Sequence, residues 1–468
     1  MKMEVQIVSI ENIKPSSPTP QHLKIFKLSL LDQLIPSPYA PVVLFYPKND
    51  DSIANRLETS KRLDMLKRSL SDTLTRFYPL AGKIKDDLSI ECNDEGAYYV
   101  EARVDCTVDD FLAKPDHILV HNFLPCETSS AGTYVTNIQV NVFECGGIAI
   151  GLCISHKVLD GAALSTFLKA WTATARGGQV RHPTPSDFVA NSLLFPANDL
   201  WLRDSAMVTW GSLFKMGKCV TRRFVFDATA IAALKSHAVV AAAAESSGVQ
   251  HVKCPTRVET VSAFIWRSAM AASRAKHGYE RPSLMTHLVN LRTRMVPLLS
   301  SISEHSTGNL LWVAAAYHHH QNYKPDDHQL LHDLVGKVRD AISVFDGDFV
   351  KRLMSSEEGN IIMSESLREI GELGSTEGVD YLGFTSWCKF GFYETDFGWG
   401  NPVWVSSVGS SGSLVFNLVI LVETRAGDGI EAWMTLDEQD MAILETDPEF
   451  IKFASLDPSP LAIGGHDS

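Results

Sequence analysis

The run Thr136-Asn-Ile-Gln-Val-Asn-Val-Phe143-Glu-Cys-Gly146-Gly147-Ile148-Ala-Ile-Gly-Leu-Cys-Ile-Ser155 decides the fold class, together with His156-Lys-Val-Leu-Asp160-Gly161 directly after it. Ile138, Val140 and Val142 alternate with Gln139 and Asn141, the two-residue period of a strand with one face on a core. Gly146-Gly147 supplies a hairpin turn, and Ile148 to Ile154 returns as a continuous apolar strand. Leu164, Phe167, Leu168 and Trp171 then repeat at helical spacing, which predicts a helix from about 162 to 171. His156 to Gly161 is therefore a strand-to-helix connection, a usual place for a chemically active side chain on a rigid scaffold.

Upstream, a Pro-rich start is followed by the alternating stretch from Phe26 to Leu30 and by a short buried strand, Pro41 to Pro47. Leu63, Leu66, Leu70 and Leu74 form one stripe of an amphipathic helix, with Lys61, Arg62, Lys67 and Arg68 off it. Downstream, Ala175 to Lys218 loses its pattern among Gly, Pro and Ser and reads as a long crossover. Helical patterning resumes at 228–244 and 258–274, strand-like runs appear at 287–291, 310–316 and 415–424, and Asp437 is placed to cap a helix to Leu444. The expected class is α/β in two similar-sized domains with mixed sheets. The division is 1–195 for the first domain, a crossover at 175–220, and 221–468 for the second. The tail from Phe450 to Ser468 carries no pattern and is expected to be mobile.

Composition narrows the function classes. Of 468 residues 45% are hydrophobic and 21% charged, as in ordinary globular proteins. Lys and Arg total 42 against 55 Asp and Glu, a formal charge of −13. Such a surface repels phosphate backbones and anionic lipid, so neither nucleic acid nor membrane is an expected partner. The first residues, with Glu4 and Glu11, lack the apolar run of a secretory signal, and no window reaches the roughly 18–20 apolar residues of a membrane span. The eight cysteines show no CxxC pair or regular spacing, which predicts free thiols and a cytoplasmic location. His318-His319-His320 resembles a metal tract, but neighbouring strand residues point to opposite faces, so no metal site is expected.

Two strings carry the chemistry. His156 at the end of a strand can act as a general base near neutral pH. In a chain with 16 histidines, though, a His-x-x-x-Asp spacing alone is also compatible with a surface contact one helical turn apart. Asp396-Phe-Gly-Trp-Gly400 joins two flexible positions to two large rings; physics alone reads it as a structural turn. Together, HxxxD and DFGWG resemble the signature pair of the plant BAHD acyl-CoA-dependent acyltransferases. The resemblance extends to Pro18-Thr-Pro20, Leu30-Leu-Asp32, Phe77-Tyr-Pro-Leu-Ala-Gly82, Phe143-Glu-Cys-Gly-Gly147, Val289-Asn-Leu-Arg292, Gly308-Asn309 and Thr385-Ser-Trp387. The run from Ser386 to Gly400 is most similar to the branch that acetylates alkaloid alcohols; similar sequences act on triterpenoid and limonoid skeletons.

The resemblance implies a chloramphenicol acetyltransferase-like fold with the active site between the domains, reached from both sides by a channel. It implies His156 as base, and Asp160 turned away from substrate to pair with Arg292. Trp387 becomes the oxyanion donor, with Thr385 beside it, while Asp396 is remote and structural. Acyl-CoA, most simply acetyl-CoA, is the co-substrate rather than a resident cofactor. Thr256, Arg257, Thr385 and Ser386 fall where the cofactor lies, and Lys389 is a weaker candidate. No GxSxG elbow is present, which fits direct transfer to a small-molecule alcohol without an acyl-enzyme. A monomer is expected. The alternatives are N-acylation, a longer or aromatic acyl donor, or a catalytically silent binding relative; the last would have lost the base or the cofactor segments.

Overall fold

The computed structural model describes residues 3–35, 39–48, 55–126, 132–178, 185–197, 201–245, 254–299, 304–319, 327–407 and 414–463. Two mixed sheets organise them. The first runs, in spatial order, Val5–Ile13, Ala97–Val104, Thr136–Phe143, Ile148–Ser155, Tyr39–Tyr46 and Trp404–Ser407. The second runs Leu311–His318, Ser283–Asn290, Asp380–Ser386, Leu418–Glu423, Ile430–Asp437, Cys219–Phe226 and Ser455–Leu456.

The hairpin pairs Val142 with Ile148 and Thr136 with Ile154. Its alternation predicted one solvated face, yet Gln139 and Asn141 are buried. The reason is a covering segment: Gln139 donates to the Asn122 carbonyl at 2.9 Å and Asn141 to that of Phe123 at 3.0 Å. These amides supply the donors that the last carbonyls of the 3-10 turn His121–Phe123 need once it is buried. On the other face, Leu66, Leu70 and Leu74 of helix Asn55–Arg76 pack with Phe167 and Trp171 of helix Gly161–Ala175.

The second sheet is a filling between two helical layers. Helices Ala228–Glu245, Arg257–His277, Asp327–Ser343 and Glu438–Leu444 cover one face, and Trp201–Leu213, Gly347–Leu353 and Ser356–Ser375 the other. The crossover is therefore not patternless. It contains helices Pro185–Leu194 and Trp201–Leu213, and the second buries Leu202, Ala206, Thr209 and Leu213. Small and polar residues diluted that stripe below recognition. Its residues 179–184 and 198–200 lie outside the described set.

Three other expectations change. The alternation at Phe26–Leu30 becomes a three-residue strand, Ile25–Lys27, and then one helical turn from Leu30, because Ser29 and Asp32 form a capping box. The tail is docked as far as the described residues go. Ser455–Leu456 pairs with Val225 and Phe224, and Ser459 donates to the Leu112 carbonyl at 2.8 Å. Residues 464–468 lie outside the described set. A boundary at 221 does not divide the cores either. Trp404–Ser407 pairs with Phe45 to Val42 in the first sheet, and Trp387, Phe392 and Phe397 pack in that sheet's core.

A buried charge pair holds this exchange. Arg223 donates to Glu431 at 2.5 Å, their side chains being 0% and 2% exposed. Glu431 also accepts from the Tyr393 hydroxyl at 3.2 Å and the Trp404 indole at 3.4 Å. Glu431→Ala leaves Arg223 charged and uncompensated, and is expected to cost about 3–5 kcal/mol in a urea or thermal melt.

Candidate active site

His156 lies just beyond strand Ile148–Ser155 and is half-buried, whereas its neighbours through Asp160 are buried. The turn is closed by a Val158 N–H to Ser155 carbonyl bond at 3.0 Å, and Leu159 forms a parallel bridge with Gly308 of the second half. Asp160 is the N-cap of helix Gly161–Ala175, accepting from the Ala163 N–H at 2.9 Å. Its second oxygen accepts from Arg292 at 2.7 Å and from the Leu310 N–H at 3.1 Å.

Arg292 is 1% exposed and spends its whole fork. Its Nε donates to the Ser306 carbonyl and its Nη2 to that of Gly308, both at 2.9 Å, while Nη1 serves Asp160. The charge that fixes the base-bearing loop thus also shapes segment 306–310. Gly308 has φ +93°, and a Cβ there would stand 2.5 Å from the Asn191 amide nitrogen, so both conformation and space require glycine.

That segment places Asn309 against His156. Its Nδ2 donates to the His156 carbonyl at 2.7 Å, and its Oδ1 is 3.1 Å from His156 Nδ1. With the nitrogen of the amide committed to acceptors, the oxygen must face the ring, so Nδ1 carries the proton and Nε2 has a free lone pair. Among the described residues no protein group takes Nε2. The sequence reading included Asn309 only as part of a matching string. A lone polar residue in an irregular segment has no period to reveal it.

Trp387 is buried beside this loop. An ideal Cβ on Gly161 would be 2.8 Å from the Phe390 ring and 3.4 Å from Trp387 Cδ1, so the indole lies next to the residue following Asp160. Its N–H on the main chain donates to the Leu421 carbonyl at 2.7 Å. Thr385 and Ser386 end strand Asp380–Ser386, half-buried, and the Ser386 hydroxyl accepts from the Cys388 N–H at 3.3 Å. Burial raises the Cys388 thiol pKa, which its hydrogen bond with Ser386 partly opposes. Arg257 donates to the Gly427 carbonyl and is half-buried. Thr256 caps helix Arg257–His277 in a box with Glu259, its hydroxyl oxygen accepting from the Glu259 N–H while its own O–H is not used by the cap. Lys389 is exposed and has φ +68°.

Asp396 sits at the other end of helix Gly161–Ala175. Arg176, that helix's C-cap, donates to the Asp396 carbonyl, while Asp160 caps the start. Fifteen residues separate the two ends, about 22 Å at 1.5 Å per residue. The Asp396 carboxylate accepts from the N–H groups of Gly398 at 2.7 Å and Gly400 at 2.9 Å. Phe397 and Trp399 stack at 5.5 Å, and Phe397 meets Trp171 edge-on at 4.9 Å. The motif buttresses the helix and does not touch His156. His318 ends its strand, His319 follows it exposed, and residue 320 lies outside the described set; no metal-holding group occurs among the described residues.

His156, with no partner on Nε2 among the described residues and held by side chains from both halves of the chain, is the candidate centre. Residues 3–451 match the family described as Transferase family. The chain is 44% identical over 478 aligned residues to limonoid 7-O-acetyltransferase of Citrus sinensis, covering 98% of this chain and 100% of that one. It is 34% identical over 464 residues to vinorine synthase of Rauvolfia serpentina, covering 95% and 97%. The crystal structure of vinorine synthase matches with a TM-score of 0.76 at 32% identity, over 98% and 100% of the two chains. TRI101 of F. sporotrichioides, solved in complex with coenzyme A and T-2, shares the fold at a TM-score of 0.66 and 18% identity, over 92% and 99%. The chain belongs to the Transferase family, the BAHD acyl-CoA-dependent acyltransferases.

Because Asp160 and Arg292 are each nearly fully buried, breaking either partner leaves a charge without its counterpart. Asp160→Asn and Arg292→Ala are each expected to cost about 3–5 kcal/mol, and the double replacement less than their sum. Urea melts of the three variants measure this; simple addition would show that the pair is not coupled.

Proposed function

We propose that the protein transfers an acetyl group from acetyl-CoA to a hydroxyl of a limonoid or related triterpenoid, with His156 as general base. The observation that carries the chemistry is the state of the His156 ring: Nδ1 is committed to Asn309, and Nε2 has no partner among the described residues. The acceptor class is suggested by the relative of Citrus sinensis, whose name specifies a limonoid hydroxyl.

In this reading His156 Nε2 takes the proton of the acceptor hydroxyl as its oxygen attacks the thioester carbonyl. The negative charge of the tetrahedral intermediate develops on the former carbonyl oxygen, where the Trp387 indole N–H, with Thr385 beside it, donates to it. Collapse breaks the carbon–sulfur bond, and the imidazolium returns its proton to the departing coenzyme A sulfur. The ester leaves with no net proton change, and the protein forms no covalent bond to the acyl group. Thr256, Arg257, Thr385 and Ser386 hold the cofactor: Arg257 begins a long helix that packs against the strand ending at Ser386. Alcohol and thioester are bound together at the base, so proximity supplies much of the acceleration.

Both halves of the centre come from one chain, which supports a monomer. All eight cysteines stand as free thiols, which supports a reducing compartment, the cytoplasm. No described helix is long and apolar enough to cross a membrane.

Incubation with acetyl-CoA and a panel of limonoid, triterpenoid and alkaloid alcohols should give a product heavier by one acetyl group. His156→Ala is expected to lower kcat at least about 10²-fold, the usual range for loss of a general base. Its melting temperature should stay near that of the unaltered protein. Initial-rate plots against both substrates should intersect, because both must be bound before transfer. Parallel lines with an acylated protein mass would instead indicate a covalent route.

A further inference from the structure

Asp32 lies in the one-turn helix Leu30–Gln33, far from His156 in sequence, and its side chain is fully buried. One oxygen, Oδ2, serves the turn, accepting from the Ser29 N–H at 2.8 Å and the Ser29 hydroxyl at 2.7 Å. A capping box needs no more than that. The other oxygen, Oδ1, is spent on Asn309, accepting from its backbone N–H at 2.7 Å and from Nδ2 at 2.9 Å. Asn191, on helix Pro185–Leu194, lies 3.5 Å from Oδ2 and donates to the Asn309 carbonyl at 3.3 Å.

We propose that Asp32 is a positioning residue for the base: its carboxylate holds the Asn309 amide in one orientation, and that amide fixes His156 in the Nδ1–H tautomer. The inference rests on the reading of His156 as general base and adds a residue that touches neither substrate.

Two considerations carry it. The first is hydrogen-bond arithmetic. Nδ2 of Asn309 has two protons and two acceptors, Asp32 Oδ1 and the His156 carbonyl. With both assigned, only Oδ1 of the amide can face the ring, and a carbonyl oxygen can pair only with a protonated Nδ1. If Asp32 is removed, one amide proton loses its acceptor and the flipped amide becomes competitive. That flip would present a donor to Nδ1 and move the proton to Nε2, where it blocks the base.

The second is cost. No cation pairs with Asp32 among the described residues, and burial pushes its carboxyl from 3.8 up to about 6 despite hydrogen bonds from Ser29 and Asn309. A folded-state value raised above the unfolded one means that the group's contribution to stability grows as pH falls through about 6. At neutral pH the ionised form is held against its burial, so helix capping alone is a poor reason to keep it there. Orienting a catalytic ring is a better one, as groups that fix the tautomer of a base do elsewhere.

Asp32→Asn tests this, since it keeps the shape but must turn its NH2 either toward the donors of Asn309 or toward the Ser29 N–H. Ring-nitrogen NMR of histidine-labelled protein, with the His156 signal identified by its loss in His156→Gln, reads the tautomer without turnover. The unaltered protein should show His156 protonated at Nδ1 near neutral pH, and Asp32→Asn a shift toward the Nε2–H form. With acetyl-CoA and an acceptor alcohol found in the panel, kcat should fall about 10–10²-fold, the usual effect of losing a supporting hydrogen bond, with KM for acetyl-CoA within about twofold. Ser29→Ala, which weakens the cap and leaves Oδ1 on Asn309, should keep both the tautomer and kcat. If Asp32→Asn fails to fold, Asn309→Ala must show the same tautomer shift and loss of kcat. An unchanged tautomer in the folded Asp32 or Asn309 variant overturns the proposal. So does a Ser29→Ala loss equal to that of Asp32→Asn. Because the tautomer is read in resting protein, failure here and failure of the transferase reading are distinguishable.

Discussion

The contact between Arg292 and Asp160 is the constraint on which the rest depends. A guanidinium and a carboxylate withdrawn from water are tolerable only if every remaining donor and acceptor is satisfied. Here the satisfaction is structural in itself. Asp160 spends its other oxygen on the first turn of helix Gly161–Ala175, and Arg292 spends its other nitrogens on the carbonyls of Ser306 and Gly308. The pair therefore fixes a helix start, a loop and a strap between sheets together. None of its partners can move without exposing a charge to an apolar interior. His156 takes its position from this arrangement, being four residues from one partner and bonded to Asn309 next to Gly308.

The charge pair, the Asn309 amide and the Asp396 turn divide the labour along one helix. Asp160 anchors its start and Asp396, through Arg176, its end, so the loop carrying His156 is tied to a rod held at both ends. The aromatic packing of Phe397 with Trp171 joins that rod to the first sheet's core. Asp396 makes no contact with His156 among the described residues and is joined to its loop through a helix about 22 Å long.

The legible parts of the sequence were those with a period. The hairpin, helices Asn55–Arg76, Gly161–Ala175 and Arg257–His277, and the Asp437 cap all follow from spacing or capping chemistry. Helix Trp201–Leu213 was missed because its buried stripe includes Ala206 and Thr209, which carry little apolar signal. Strand Trp404–Ser407 is only four residues long, too short to carry a readable period, and nothing local says that it crosses to the other sheet. For the site, spacing alone did not separate His156 from a surface histidine. The partnership of Asp160 with Arg292, 132 residues apart, entered only through family resemblance. Asp32 and Asn309 lie 277 residues apart in segments without pattern, so only the folded chain shows that they share a proton.

The late arrival of Trp404–Ser407 has a consequence for synthesis on the ribosome. Strand Tyr39–Tyr46 is complete early, but its outer edge waits for a partner made more than 350 residues later. Until then the nascent first half presents unpaired amides along a largely buried, apolar strand, the kind of edge that recruits other chains. Domain-by-domain folding during translation, usual for chains of this size, leaves that sheet one edge strand short until Trp404–Ser407 has emerged.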